Sequence, residues 1–561
     1  MEAIKRYTSV LSARQWSVLL TGFAILLWAY SLVQTKLKLD GYGLIHSYPV
    51  TFFISLGILT IASAILWVSK EKSGKLLFLQ LLFLIISFWL TPLLIGGIGN
   101  SQPGFSLTAS DLGNANYIMR LGHIAPEISW RFSWPGIFIF ESFVAHILGI
   151  SNFNNIEMLS PIVFQFLIFL PVFSIFKNIA GAGKENYHWA AIWIFYLSGL
   201  FSGILHTQVF AAFFLFFLIA IFTQTISNDS NMLIFSIIII GAITISHLLT
   251  SLYFVIFMLL LFLGRKAKQF TLFLISIIFV AAWVIYGAAT FFQSRILDFI
   301  NTAFNFDLLF QHGVGSHISG TYEHQTVVVI RILLFFIFSL MAIIGFVIGY
   351  KNKNTHNLLM IGMILTGMVL AVIVGPSYGL DVPGRIFLFI IIPLSFFIGK
   401  LLFNRFAFVV LVPILIVLIP LEIVSQFGNQ EFDFTAPSTI SSWDFFSKYT
   451  VGGGVIGGSP FGAVTNMENY NIIPFSSDSL QSYSSLYKEI DSGNGIENLL
   501  GPYPHYYCLS TGDINYFHEI YNNSSLISNV KERLKGSSTY GCIYITNDTS
   551  IYIAEFRFAY H

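Results

Sequence analysis

Apolar runs separated by short polar intervals fill the chain from its start to about residue 425, and then stop. The runs are 15–34, 50–68, 76–95, 158–176, 188–204, 209–226, 232–246, 247–263, 270–292, 326–349, 358–374, 386–402 and 406–424. A helix needs about 20 apolar residues to cross roughly 30 Å of hydrocarbon. The pattern therefore predicts about thirteen transmembrane helices, with the two short runs that meet at His247 forming two spans or one bent pair. Two polar intervals exceed the rest, residues 96–157 and 293–325. The first is interrupted by the apolar segment 134–150, which holds Glu141 and His146 and is expected to lie on the membrane surface as an amphipathic helix.

Beyond residue 426 the chain becomes rich in Ser, Asn, Gly and Tyr and has no further long apolar run. Here the spacing predicts helices at 441–449, 482–490 and 529–535, a strand at 453–458, and a hairpin of 542–546 with 550–556. The expected fold is an all-α polytopic membrane domain over residues 1–425, followed by a small α/β domain over 426–561.

Composition sharpens this picture. Hydrophobic residues are 55% of the 561 and charged residues 10%, far below the quarter or so of a soluble domain. The net charge of +1 gives no reason to expect nucleic acid. Basic residues fall on alternate loops, at Lys70/Lys72/Lys75, Lys177/Lys184, Arg265/Lys266/Lys268, Lys351/Lys353 and Lys400/Arg405. By the positive-inside rule those loops and the N-terminus are cytoplasmic, so both long polar intervals and the C-terminal domain are extracytoplasmic. The first apolar run lacks a small-residue cleavage site and reads as a retained signal anchor at the plasma membrane. Cys508 and Cys542 are the only cysteines, and on the oxidising side they are expected to pair across a loop of about 33 residues. Asn-x-Ser/Thr tripeptides at Asn522 and Asn547 are weak signs of glycosylation.

The spans are nearly free of ionisable side chains, which instead gather at the extracytoplasmic ends. They include Asp111, Arg120, Glu127 and Arg131, His206, His247, Arg295 to Arg331, and Asp381 with Arg385. A transporter needs sites near the bilayer midplane. A polar layer at one face suits chemistry on a lipid-linked substrate better. A lipid-linked glycan flippase is the alternative from another class, and a glycan-binding scaffold a third.

Three stretches resemble the GT-C superfamily of multi-span, polyprenyl-phosphate-sugar-dependent glycosyltransferases, in its prokaryotic and archaeal branches. They are SLTASDLGNANYIMRLGHI with the following WPGIFIFESFVAHILGIS, then ITISHLLTSLYFVIF, and GLDVPGRIFLF. The resemblance covers roughly residues 76 to 424 and implies an inverting transferase with a catalytic carboxylate in its first outer loop. That role falls on Asp111 alone. Many families pair two acids there, whereas Ser110-Asp111-Leu112 has no second acid two residues away. The resemblance thus allows a divalent metal without supplying its ligands. It implies a polyprenyl-phosphate-sugar donor, a glycan, lipid or protein acceptor, and the lipid bilayer as partners. Oligosaccharyltransferase catalytic subunits carry W-W-D-Y-G, and the nearest string here, Ser442-Trp443-Asp444-Phe445-Phe446, lacks it.

The chemistry agrees. Sugar transfer from a lipid phosphate needs a base within hydrogen-bond reach of the attacking hydroxyl and a cation for the departing phosphate. Asp111 is the candidate base, and Arg385, Arg331 and Arg295 are the candidate phosphate ligands. His247, Asp381, Glu323 and His324 are further candidates for substrate contact. Plainer roles compete: Asp111 as a helix cap, Arg385 as an interfacial anchor, His247 as a cap between helices, and Glu127 with Arg131 as a helical ion pair. His312, His317, Glu323 and His324 match no tight zinc spacing, so a glycine-rich loop able to fold over the donor is the better reading.

Overall fold

A computed structural model describes the chain except residues 1–11, 70, 72, 97–104, 151–158, 181–184, 199–205, 225–229, 264–269, 294–319, 350–354, 379–380, 402–404, 430, 432–436, 451, 458–469, 475–504, 522–524, 538–539 and 555–561. Among the described residues, fifteen α-helices form the first part: α1 Ala13–Gln34, α2 Val50–Trp67, α3 Gly74–Gly96, α4 Phe105–Leu121, α5 Gly136–Leu148, α6 Ser160–Ala180, α7 Glu185–Leu197, α8 Thr207–Thr223, α9 Ser230–Ser246, α10 Leu248–Leu263, α11 Phe270–Ala282, α12 Tyr322–Gly349, α13 Thr355–Tyr378, α14 Asp381–Leu401 and α15 Arg405–Phe427. Among the described residues, nine helices are long and apolar enough to cross a membrane. The helices α8, α9 and α10 are apolar too but only 16 or 17 residues long. The chain is a multi-pass membrane protein.

Inside lipid, polar groups must find partners within the protein. Serines and threonines return their hydroxyls to carbonyls of their own helices, as Thr60 does to Leu56 and Thr244 to Ile240. Gln80 of α3 is fully engaged: its Nε2 donates to Ser17 and Thr21 of α1, and its Oε1 accepts from Ser63 of α2. That network fixes how the first three helices pack.

The most enclosed of the spans is α14, whereas α1 and α11 turn most of their surface outward. Phe335 against Phe387 and Phe346 against Phe397, with ring centroids 5.6 and 5.3 Å apart, show that α12 and α14 run parallel. In that register α12 begins several residues before α14 and projects beyond it.

The last part adds α16 Pro437–Tyr449, β1 Gly453–Gly457, β2 Tyr470–Pro474, β3 His505–Ser510, α17 Thr511–Tyr521, α18 Ser525–Gly536, β4 Tyr540–Ile545 and β5 Thr549–Ala554. The sheet order is β2-β1-β3-β5-β4, parallel across its first three strands and antiparallel in the rest. Central β3 is buried along its whole length, as a strand covered on both faces must be. On one face Tyr507, Leu509 and Tyr552 pack with Phe517 of α17 and with Ile527, Val530 and Leu534 of α18. On the other, Tyr506, Cys508 and Ile551 pack with Trp443 and Phe446 of α16 and with Ala145 of α5. Trp443 and Phe446 of the Ser-Trp-Asp-Phe-Phe string are therefore core residues.

One expectation is corrected. Cys508 and Cys542 are free thiols, the first buried and the second exposed. Strand β5 lies between theirs, so their backbones stand about two strand spacings apart, roughly 9.6 Å, well beyond the reach of a disulfide. Cys508 also pairs with Ile551 and Cys542 with the next residue, Tyr552, so the two thiols face opposite sides of the sheet. The helix holding Glu141 is amphipathic. Glu141 is buried, while Ile139, Phe143 and Ile147, four apart, form the exposed stripe. The predicted helix at 482–490 and the sequon at Asn522 lie outside the described residues.

Candidate anion site

Two histidines are held by the helix ends beside them. His206 precedes α8, and its Nδ1 accepts the Gln208 backbone N–H at 3.2 Å. His247 is the single residue between α9 and α10, and its Nδ1 accepts the Thr250 N–H at 3.3 Å and lies 3.0 Å from the Thr250 hydroxyl. A backbone N–H can only donate, so each Nδ1 is an acceptor and each neutral ring carries its proton on Nε2. No group among the described residues takes either Nε2–H, and both residues are of intermediate burial.

Cations stand around them. Burial, together with the charges of Arg385 and Arg131, pushes His206 down to about 3. Burial, Arg385 and His206 likewise hold His247 well below the ordinary imidazole range. Both rings are thus neutral donors at physiological pH, beside the guanidiniums of Arg385 and Arg131. Gln208 adds a tether, its Nε2 donating to the Arg385 carbonyl at 3.0 Å.

The first polar interval supplies Arg131 and packs against this cluster. Gly122, at φ +74°, ends α4, and a tight turn over Trp130–Ser133 follows. Tyr117 of α4 packs on Phe132 of that turn at 5.3 Å between centroids. Trp283, in a π-helical turn at the end of α11, donates its Nε1–H to the Ser133 carbonyl at 2.9 Å. Gly136 then sits so close to Ser246 that a Cβ there would lie 3.0 Å from the Ser246 Cα.

Asp111 is the seventh residue of α4, so it does not cap that helix. Its side chain, like that of Asp381 at the first position of α14, lies outside the described residues. Arg331 spends its Nε on the Ser425 carbonyl of α15 at 2.8 Å and lies within about one helical turn of the level of Arg385. Glu323 and His324 sit roughly 14 Å further along α12, at 1.5 Å per residue, and do not reach the histidines. Glu323 packs on Gly41 instead. Glu127 is exposed and makes no ion pair with Arg131, because the segment after α4 is turn and the four-residue spacing has no helix to act through. Arg295, Asp298, Asp307, His312 and His317 lie outside the described residues.

Sequence reasoning passed over His206, Gln208 and Arg131 as site members. A usable signal existed for His206, which stands immediately before a long apolar run, where a side-chain acceptor caps a helix.

No family model matches the chain, and no curated protein matches it. Among solved structures it is similar to an Archaeoglobus fulgidus oligosaccharyltransferase in complex with zinc and sulfate, at 11% identity and a TM-score of 0.47, over 85% of this chain and 72% of that one. It is also similar to ArnT from Cupriavidus metallidurans in the apo state, at 9% identity and a TM-score of 0.45, over 86% of this chain and 97% of that one.

Proposed function

We propose that the protein is an inverting GT-C-type glycosyltransferase, moving a sugar from a polyprenyl-phosphate donor to an acceptor hydroxyl on the extracytoplasmic face of the plasma membrane. The observation that carries this reading is the gathering of two neutral Nε2–H donors with Arg385 and Arg131. Arginine binds phosphate through a planar fork of donors, and neutral imidazoles add N–H groups directed at anionic oxygen. The alternation of basic loops supports a cytoplasmic N-terminus and an extracytoplasmic unit after residue 426.

In this mechanism the acceptor hydroxyl attacks the anomeric carbon from the side opposite the phosphate. The new C–O bond forms as the bond to the phosphate oxygen breaks. The hydroxyl proton passes to the Asp111 carboxylate, and the electron pair leaves with the lipid phosphate, whose charge Arg385 and Arg131 stabilise. Placing Asp111 on α4 suits the role, since that helix packs through Tyr117 on the turn that carries Arg131. Among the described residues no three His, Cys, Asp or Glu side chains gather to hold a metal, and no step here is routed through one.

The test uses Asp111→Asn and Arg385→Ala in the full-length protein with a polyprenyl-phosphate-sugar donor. The first should bind donor normally and transfer at least about a hundredfold more slowly, the usual contribution of a general base. The second should weaken donor binding. Wild-type transfer by Asp111→Asn sinks the base assignment, and unchanged donor affinity in Arg385→Ala sinks the phosphate site.

A further inference from the structure

A second polar cluster lies where the C-terminal unit meets the projecting end of α12. Gly320 and Thr321 lead into that helix, and Thr321 caps it by accepting the His324 N–H at 3.3 Å. The same threonine is held by α17: its N–H donates to the Glu519 carbonyl at 2.9 Å, and its hydroxyl donates to Glu519 Oε2. Gly320, at φ +102°, runs so close to the Glu519 carbonyl that a Cβ would lie 1.9 Å from it, so only glycine fits. Glu431, just after α15, completes the joint. Its carbonyl accepts from Asn515 of α17 at 3.1 Å, and Glu519 stands one helical turn beyond Asn515 on that helix, beside Glu431.

Two neighbouring carboxyls cannot both be ionised cheaply, so the pair keeps a proton. Glu519 accepts from Thr321 on Oε2, and its Oε1 lies 3.2 Å from His518 Nδ1, so both of its oxygens already have partners. The proton therefore rests on Glu431. We propose that this proton is a pH-sensitive clasp, fastening α17 and the C-terminal unit to the first turn of α12, and that its loss releases the turn that ends the second polar interval.

Burial, then the Glu519 charge, raises Glu431 to about 7 from an ordinary 4.5. The other groups facing it are His518 on α17 and Asp40 in the loop between α1 and α2. Asp40 is itself paired with Lys38 at 3.3 Å and His46 at 2.7 Å, and Glu323 lies alongside at Gly41. The sign follows from proton linkage. The closed joint holds a proton between pH 4.5 and 7 that the open one does not, so closure is favoured at low pH and weakens as pH rises through that window. Above it the dependence flattens.

This inference is independent of the transferase reading. The test is amide hydrogen exchange of the full-length protein in detergent at pH 5, 6.5 and 8, corrected at each pH for intrinsic exchange, reading residues 320–325 and 511–521. Wild type should open roughly tenfold or more readily at pH 8 than at pH 5. Glu431→Gln donates an amide N–H in place of the acid O–H, so it should stay protected at every pH. Glu519→Gln, which still accepts from Thr321, should do the same and serves as the second variant. His518→Gln should keep the wild-type response. A flat wild-type profile overturns the clasp, as does a response that survives Glu431→Gln or vanishes with His518→Gln.

Discussion

Gln208 donates its side-chain N–H to the carbonyl of Arg385 at 3.0 Å, joining the first turn of α8 to the first turn of α14 across 177 positions of sequence. Gln208 is almost fully buried, so the bond has no water to replace it. One bond thereby sets the separation between a neutral donor, His206, and a fixed cation.

Gln208→Leu keeps the volume and removes the tether, while the Arg385 carbonyl keeps its place in the α14 backbone ladder. A loss of about 0.5–1.5 kcal/mol in stability is expected for one net hydrogen bond. Donor affinity should fall about tenfold, the equivalent of 1.4 kcal/mol. Thermal unfolding in detergent and donor titration check both. A variant with reduced stability and unchanged affinity would mean that the tether holds the helices but not the site.

Acid should unfold the protein in part through His206. Its folded-state value of about 3 lies below the ordinary 6.5, so the unfolded chain binds a proton that the folded chain refuses. Stability from this residue is complete above pH 6.5 and is lost as pH falls towards 3. His206→Asn still offers an acceptor to the α8 start but does not titrate. The drop in melting temperature between pH 7 and pH 4.5 should therefore be smaller in the variant, and an equal drop would exclude His206 as a source.

These predictions rest on features that were unequally legible in the residues. The long apolar runs announced α1, α2, α12 and α15, because a span must satisfy its backbone within one helix and so carries an uninterrupted signal. His247 and Arg385 were legible as polar residues at the ends of such runs. His206 was legible only as a cap before its run and Arg131 not at all, since what makes them site members is proximity to Arg385 across separate helices. The joint at Glu431 and Glu519 was equally hidden, as its four parts come from four distant stretches. The cysteine pairing failed for a related reason: strand order within a sheet is not written in spacing, and β5 follows β4 in sequence yet sits between β4 and β3.

Cysteine accessibility follows directly. Cys542 is exposed, and Cys508 is fully buried with its thiol pushed well up by that burial and then by the Asp513 charge. A maleimide reagent should label one thiol per chain in the native protein and two after denaturation, with or without prior reduction. Labelling that requires reduction would show a disulfide and would force β3 and β4 into contact. Cys542→Ser should abolish native labelling without moving the melting temperature.

Gly136 offers the sharpest packing test of the site. It is the first residue of α5, and a methyl there would fall 2.3 Å from the Ser246 Oγ and 3.0 Å from the Ser246 Cα. Ser246 is fully buried, its hydroxyl donating to the Ala242 carbonyl at 2.5 Å, so it has no room to retreat. The strain of Gly136→Ala must then pass into the backbone beside His247. Overpacking of this kind costs about 1–3 kcal/mol. Donor binding should weaken in step, because the Nε2–H of His247 moves with its backbone. Adding Ser246→Ala removes the Oγ clash but not the Cα one, so the double variant should recover only part of the loss. Gly22→Ala is the control: nothing lies within 4 Å of its Cβ in mid-α1, and exchanging glycine for alanine in a helix interior should stabilise by roughly 0.5–1 kcal/mol. If Gly136→Ala melted and bound donor like the control, the contact between α5 and the α9–α10 junction would be looser than described, and His247 would lose its positioning by the first polar interval.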